Sequence, residues 1–204
     1  MKKAIVIGSG FGGLAIACRL RKKNFDVTVL EKQSNFGGRA RALEHNGFIY
    51  DAGPTVITAP YLIEELFTMH NKNWGDYYEL LKVKPYYRFI FSDHTHFDYG
   101  DNLREMIKQI DKKYSRTDAR GYIKLLKLSK RIFKTAYEEL SDKPFKTLQS
   151  MIPYLPELLR IKFYKSVHTS VEAHIKNENL VKALSMHPLL IGGNPYTTTS
   201  IYLL

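Results

Sequence analysis

The sequence predicts an α/β fold that opens with a β-strand, a helix and a second β-strand. Three observations support this prediction: an apolar run at residues 4–7, a glycine-rich turn directly after it, and a second strand pattern at residues 26–30. Short apolar runs are typical of strands in a parallel sheet, and a helix is the usual connection between two parallel strands. The opening segment is therefore predicted to be a Rossmann-like βαβ unit.

The glycine-rich turn has the spacing of a dinucleotide-binding motif. Gly8, Gly10 and Gly13 fit the pattern G-x-G-x-x-G, Gly12 lies inside it, and a helix is predicted over residues 14–23. Gly8 allows the tight turn, Gly10 lets a pyrophosphate approach the backbone, and Gly13 lets the helix pack closely on the strands. The free N–H groups and the positive dipole end at the helix start favour a bound phosphate.

An acidic residue follows where such a site would hold a ribose. Glu31 ends the second predicted strand, 18 residues after Gly13. Its carboxylate can accept hydrogen bonds from ribose hydroxyls and would repel a 2′-phosphate, which argues against NADP. The alternative is a glycine-rich turn in some other α/β unit, and the strand, helix and acid around the motif argue against it. A secretion signal is not expected, because glycines interrupt the apolar segment.

A second glycine pair, Gly37-Gly38, follows the second strand and leads into Arg39 and Arg41. The glycines permit another close backbone approach, and an arginine can bind phosphate with two parallel donors. The alternative is a loop with two exposed arginines. Simple NAD sites do not need this element, whereas flavin adenine dinucleotide (FAD) sites in many oxidases have it.

The composition limits the kinds of partner. The chain has 204 residues, one cysteine and a net charge of +11, and residues 101–150 carry 13 Lys and Arg against 7 Asp and Glu. An anionic membrane surface would suit this charge, a solvated helix face is the alternative, and no nucleic-acid motif accompanies it. A single cysteine excludes an internal disulfide, and no apolar run is long enough to span a bilayer.

Beyond the opening unit, the patterns predict a helix at residues 60–67, a β-hairpin at 86–99 and helices from residue 103 onward. An apolar stripe from Tyr122 to Leu140, with lysines mostly off it, indicates a basic amphipathic helix whose start Thr117 or Asp118 can cap. Such a helix packs on a protein core or lies on a membrane. No metal site is expected, since His94 and His96 share a predicted turn with no third ligand.

Six motifs together resemble bacterial-type phytoene desaturases of the carotenoid and retinoid FAD oxidoreductase family. They are IGSGFGG at residues 7–13, LEK at 30–32, GGRA at 37–40, DAGPTVIT at 51–58, VKPYYR at 83–88 and GGNPYTT at 192–198. The first motif is shared by many flavoproteins, whereas DAGPT and GGNP are much narrower. The resemblance covers essentially the whole chain but only the N-terminal portion of the family's length.

The resemblance implies FAD as cofactor and a lipophilic polyene as substrate, with desaturation of a long isoprenoid hydrocarbon in carotenoid biosynthesis. It also implies peripheral attachment to an anionic membrane surface, on the cytoplasmic face of the cell membrane. Residues 1–70 would form the N-terminal part of an FAD-binding domain, and residues 71–204 an inserted helical and β-hairpin region for substrate and membrane, incomplete at the C-terminus. The residues expected to bind the cofactor are Gly8, Gly10, Gly12, Gly13, Glu31, Lys32, Gly38, Arg39, Asp51, Gly53 and Pro54.

Two alternatives stay open. One is a related FAD oxidoreductase of polyenes, such as an isomerase, ketolase or retinol saturase. The other is a nucleotide-binding remnant without catalysis. No catalytic residue is assigned: His187 is conceivable as a base, but a packed or capping histidine is the more expected role, because a base must first lie within reach of its proton.

Overall fold

A computed structural model describes residues 1–53, 56–140 and 147–203. The chain forms two compact units, Met1–Leu81 and Lys82–Leu204. The first contains the predicted nucleotide motifs, and the second contains the hairpin and most of the helices. What each unit binds remains a prediction.

The first unit opens with the predicted βαβ arrangement. Strand β1 (Lys2–Ile7) and strand β2 (Phe25–Leu30) pair in parallel, with Ile7 opposite Leu30, and helix α1 (Phe11–Lys22) connects them. Val6 is buried at 8% exposure, but Ile7 is 87% exposed. The apolar run at residues 4–7 is typical of a strand that is buried in a parallel sheet. The exposure of Ile7 corrects that prediction. Successive side chains of a strand point to opposite faces, and among the described residues α1 covers one face of this two-stranded sheet.

The rest of the first unit contains a hairpin and a helix. Strands β3 (Ala42–His45) and β4 (Phe48–Asp51) pair antiparallel, and α2 (Pro60–Thr68) follows close to its predicted limits. The turn between the strands is Asn46-Gly47, and both residues have positive φ, at 51° and 78°. Asn-Gly with two positive φ values is the preferred two-residue hairpin turn, so the sequence held a signal for a hairpin that was not predicted.

The second unit combines a hairpin with a bundle of helices. Strands β5 (Tyr87–Ile90) and β6 (His96–Tyr99) form the predicted antiparallel hairpin. The helices are α3 (Leu103–Lys113), α4 (Arg116–Phe133), α5 (Leu155–Arg160), α6 (Val167–Glu172) and α7 (Glu178–Leu184). Most of the buried apolar side chains among the described residues belong to this unit, including Phe97, Ile110 and Ile132 at 0% exposure.

The basic amphipathic helix is α4, extended by a turn of π-helix at Lys134–Glu139. Its apolar stripe packs on the core of the second unit, with Tyr122, Leu125 and Leu140 buried. Most of the stripe is therefore occupied by protein contacts, and Phe133 is the exposed member at 38%. The basic side chains lie exposed on the remaining surface of the helix.

The start of α4 differs from the prediction that Thr117 or Asp118 caps it. Ser115 is the cap, and its Oγ accepts the backbone N–H of Asp118 at 2.9 Å. Asp118 is buried at 3% exposure, and its carboxylate accepts Ser115 Oγ at 2.8 Å and the backbone N–H of Lys176 at 2.6 Å. A buried carboxylate needs such donors, so Asp118 ties the start of α4 to the segment before α7.

Candidate functional site

At the start of α1, directly after the turn from β1, no side chain of the described residues caps the backbone N–H groups. Gly8 has φ +96° and donates its N–H to the carbonyl of Leu30 at 2.7 Å, which closes the turn on β2. Gly10 is the N-cap of α1 and supplies no side-chain hydrogen bond, and the first turn of the helix contains no acidic residue. The helix start therefore offers free N–H groups and a positive dipole end to an anion.

The glycines of the motif have different physical roles. A Cβ on Gly13 would lie 2.0 Å from the carbonyl oxygen of Gly8, so helix and strand approach too closely for any side chain there. A Cβ on Gly10 would meet only the Cα of Gly38, at 3.9 Å, and one on Gly12 would meet nothing within 4 Å. Gly13 thus has the packing role that the sequence predicts, while the described residues leave the space above Gly10 unfilled.

Glu31 lies against this turn. Its Oε2 accepts the N–H of Ser9 at 2.8 Å and the hydroxyl of Ser9 at 2.7 Å, and its Oε1 accepts the N–H of Gln33 at 2.9 Å. The N–H of Gln33, followed by the N–H and hydroxyl of Ser9, lowers the pKa of the carboxyl to about 2. The side chain is exposed, so an ionised acceptor faces solvent beside the glycine turn.

The second glycine pair meets the same turn. Gly37 donates its N–H to the carbonyl of Ser9 at 2.9 Å, and it forms a parallel bridge with Gly10. Gly38 has φ +60°, and a Cβ there would lie 3.1 Å from the Cα of Gly10. The two glycine segments can approach this closely because neither carries a side chain. The short turn Gly38–Ala40 contains Arg39 and is called the arginine turn below. The contact brings the start of this turn to the edge of the space above Gly10.

The arginine turn and the end of β4 pack side by side. A Cβ on Gly53 would lie 2.4 Å from the carbonyl oxygen of Arg39 and 2.8 Å from the Cα of Ala40. The N–H of Ala52 donates to the carbonyl of Arg41 at 3.1 Å. The predicted residue Asp51 is exposed at the end of β4 beside this contact.

The remaining predicted site residues are Arg39, Lys32 and Pro54. Arg39 and Lys32 are exposed, and neither side chain has a hydrogen bond or ion pair with any residue in the described part of the chain. Both are therefore available to a ligand. Pro54 lies outside the described residues.

Ser9 is the site residue that sequence reasoning missed. It occupies the first variable position of the glycine motif, and its side chain is the buried link between the turn and Glu31. The sequence feature that could have identified Ser9 was a hydroxyl in that position, followed by an acid at the end of β2.

His187 lies in the second unit, half-buried. Its Nδ1 is buried and has no hydrogen-bond partner in the described part of the chain. Its ring lies edge-on to that of Tyr99, with 6.3 Å between the ring centroids, and burial lowers its pKa. These are properties of a packed, neutral histidine. A role as a base remains untested.

Comparison with known proteins adds to this geometry. A family model described as an NAD(P)-binding Rossmann-like domain matches residues 6–72. The lycopene-forming phytoene desaturases of Pseudescherichia vulneris and Pantoea ananas are each 42% identical over the whole chain. By sequence, the chain is similar to these phytoene desaturases. It spans 41% of the length of each of these two relatives.

A solved structure shows the same fold. A double mutant of putrescine oxidase superposes on this chain with a TM-score of 0.57. The matched region covers 99% of this chain and 40% of the putrescine oxidase chain. At 17% identity this likeness concerns the fold alone. It agrees with the predicted Rossmann-like α/β class. In the described part of the chain, no helix is both long and apolar enough to cross a bilayer.

Proposed function

We propose that this chain carries the FAD-binding segment, and part of the substrate region, of an enzyme that desaturates phytoene or a related long isoprenoid hydrocarbon. The observation that carries the proposal is the 42% identity to lycopene-forming phytoene desaturases along the entire chain. Because the chain spans 41% of those relatives, the activity is proposed for the natural polypeptide that contains these residues.

The geometry of the first unit supports FAD as the dinucleotide. The pyrophosphate would lie above Gly10, where the helix start supplies free N–H groups and the glycine leaves room. The adenosine ribose would donate to the ionised carboxylate of Glu31, and the exposed Arg39 would neutralise phosphate charge. FAD bound here would supply the hydride acceptor for oxidation of a C–H bond of the polyene, with a proton lost from the neighbouring carbon, and the protein would align the substrate and exclude water.

The function is tested by expressing the natural polypeptide in a phytoene-producing host and analysing the carotenoids. We expect products with longer conjugated systems, and we expect Glu31→Ala to abolish them because the ribose loses its acceptor. Glu44→Ala removes an exposed carboxylate on β3 and should leave the products unchanged. Unaltered phytoene with the wild-type protein would contradict desaturation, and a carbonyl, isomerised or retinoid product would favour the alternative enzymes.

We also propose that α4 attaches the protein to an anionic membrane surface. Arg120, Lys124, Lys127 and Arg131 are exposed and spaced by four, three and four residues, so they share one face of the helix. Most of the apolar stripe is buried against the core, so attachment through α4 would be electrostatic. Each basic side chain held near an anionic bilayer contributes about 1 kcal/mol, and salt weakens the effect.

Vesicle sedimentation tests this attachment. We expect the chain to bind vesicles containing phosphatidylserine at low salt, and Gln at the four basic positions of α4 to weaken binding by about 1,000-fold, since four contributions of about 1 kcal/mol are lost. Gln at Lys2, Lys3, Lys22 and Lys23, which are also exposed, removes the same charge from the first unit. Equal losses in both variants would show that net charge, and not the basic face of α4, drives binding.

A further inference from the structure

Ser9 joins three segments of the nucleotide site. Its N–H and its hydroxyl both donate to Glu31 Oε2, at 2.8 and 2.7 Å, and its carbonyl accepts the N–H of Gly37 at 2.9 Å. The residue is 4% exposed, although Glu31 itself is exposed. The glycine turn, the end of β2 and the second glycine pair therefore meet at one serine.

The hydroxyl of Ser9 restrains Glu31 in a way that the backbone alone does not. A glutamate side chain has rotatable bonds that an exposed carboxylate would otherwise sample, and fixing it costs conformational entropy when a ligand binds. Two donors on Oε2 and the N–H of Gln33 on Oε1 hold the carboxylate in one orientation before any ligand arrives. The same donors keep its pKa at about 2, so the acceptor stays charged.

We propose that Ser9 is a positioning residue, whose hydroxyl presets the Glu31 carboxylate to receive the hydroxyls of an adenosine ribose. The inference rests on the proposed function, because it presumes that the ribose of the dinucleotide lies at Glu31. It goes beyond that function by assigning part of the ribose affinity to a side chain that does not contact the ligand.

The test compares ADP with 2′,3′-dideoxy-ADP, which lacks both ribose hydroxyls, by calorimetric titration of the chain. We expect the wild type to prefer ADP and Ser9→Ala to reduce the ratio of the two affinities about five-fold, the size of one weakened hydrogen bond of about 1 kcal/mol. Affinity for dideoxy-ADP should not change. Ser9→Thr retains the hydroxyl and should restore the ratio, and Ser34→Ala removes an exposed serine hydroxyl as a matched control.

The pH profile separates positioning from a merely structural role. In the wild type the ratio should stay constant down to about pH 4, because the pKa of Glu31 is depressed. In Ser9→Ala the pKa rises part of the way towards its ordinary value, since one donor to the ionised form is lost. The ratio in the variant should therefore begin to fall at a higher pH than in the wild type.

The possible outcomes distinguish the two proposals. If the wild type discriminates and Ser9→Ala discriminates equally at every pH, the role of Ser9 is overturned and the ribose site stands. If the wild type binds both nucleotides equally, or binds neither, the ribose site itself is absent and both proposals fall. If circular dichroism shows that Ser9→Ala does not fold, Ser9→Cys takes its place in the titrations. Cysteine has a volume similar to that of serine but is a much weaker hydrogen-bond donor, and the same criteria apply.

Discussion

Gly10→Val is expected to abolish FAD binding while leaving the first unit folded. Gly10 has φ −72° and ψ 176°, a conformation that valine adopts without strain. In the described part of the chain, the nearest atom that a Cβ there would meet is the Cα of Gly38 at 3.9 Å, so the branched side chain would fill the space proposed for the pyrophosphate. Loss of two charge-assisted hydrogen bonds of about 1.5–3 kcal/mol each would weaken binding by about 100-fold or more.

Fluorescence titration of FAD measures this loss, and circular dichroism verifies the fold. Gly100→Val is the matched control, because a Cβ on Gly100 meets nothing within 4 Å and the residue lies in the second unit. Wild-type affinity in Gly10→Val would show that the pyrophosphate does not lie above this glycine. A loss of the fold would show that the space is needed by the protein itself.

Gly13→Ala is expected to have the opposite effect and destabilise the first unit. The added methyl would lie 2.0 Å from the carbonyl oxygen of Gly8, a backbone atom that cannot rotate away as the end of a flexible side chain would. Relief requires α1 to move away from the strand, and overpacking of this kind costs about 3 kcal/mol or more. Urea denaturation of the chain should show a lower unfolding free energy for the Met1–Leu81 unit.

Gly12→Ala provides the stability control within the same helix. A Cβ on Gly12 meets nothing within 4 Å, and alanine is favoured over glycine in a helix by about 1 kcal/mol. We expect unchanged or higher stability. Equal stability of Gly13→Ala and Gly12→Ala would contradict the close helix–strand approach in this structure.

The opening unit was predictable because local patterns determine it. The apolar runs, the glycine spacing and the position of Glu31 each identify one part of the βαβ unit, and the glycine turn and the acid meet as expected. The β5–β6 hairpin and α2 were predictable for the same reason. In each case the residues that decide the element are close together in the sequence.

The missed features depend on contacts between distant residues. Asp118 accepts from Lys176, 58 positions away, and that contact, together with Ser115 as the cap, was not visible in the helix pattern. The partnership of Ser9 with Glu31 spans 22 positions. The burial of the α4 stripe also depends on which surfaces fold against it, since an amphipathic pattern is the same for a core helix and a membrane helix.

The most direct test of the nucleotide site is a titration of the ¹⁵N-labelled chain with FAD, followed through the backbone amide resonances. The geometry predicts the largest shifts at Gly8–Gly13, at Glu31 and at Gly37–Arg39, with a saturable 1:1 response. Shifts confined to the Lys82–Leu204 unit, or no shifts at saturating FAD, would contradict a dinucleotide bound at the β1–α1 turn.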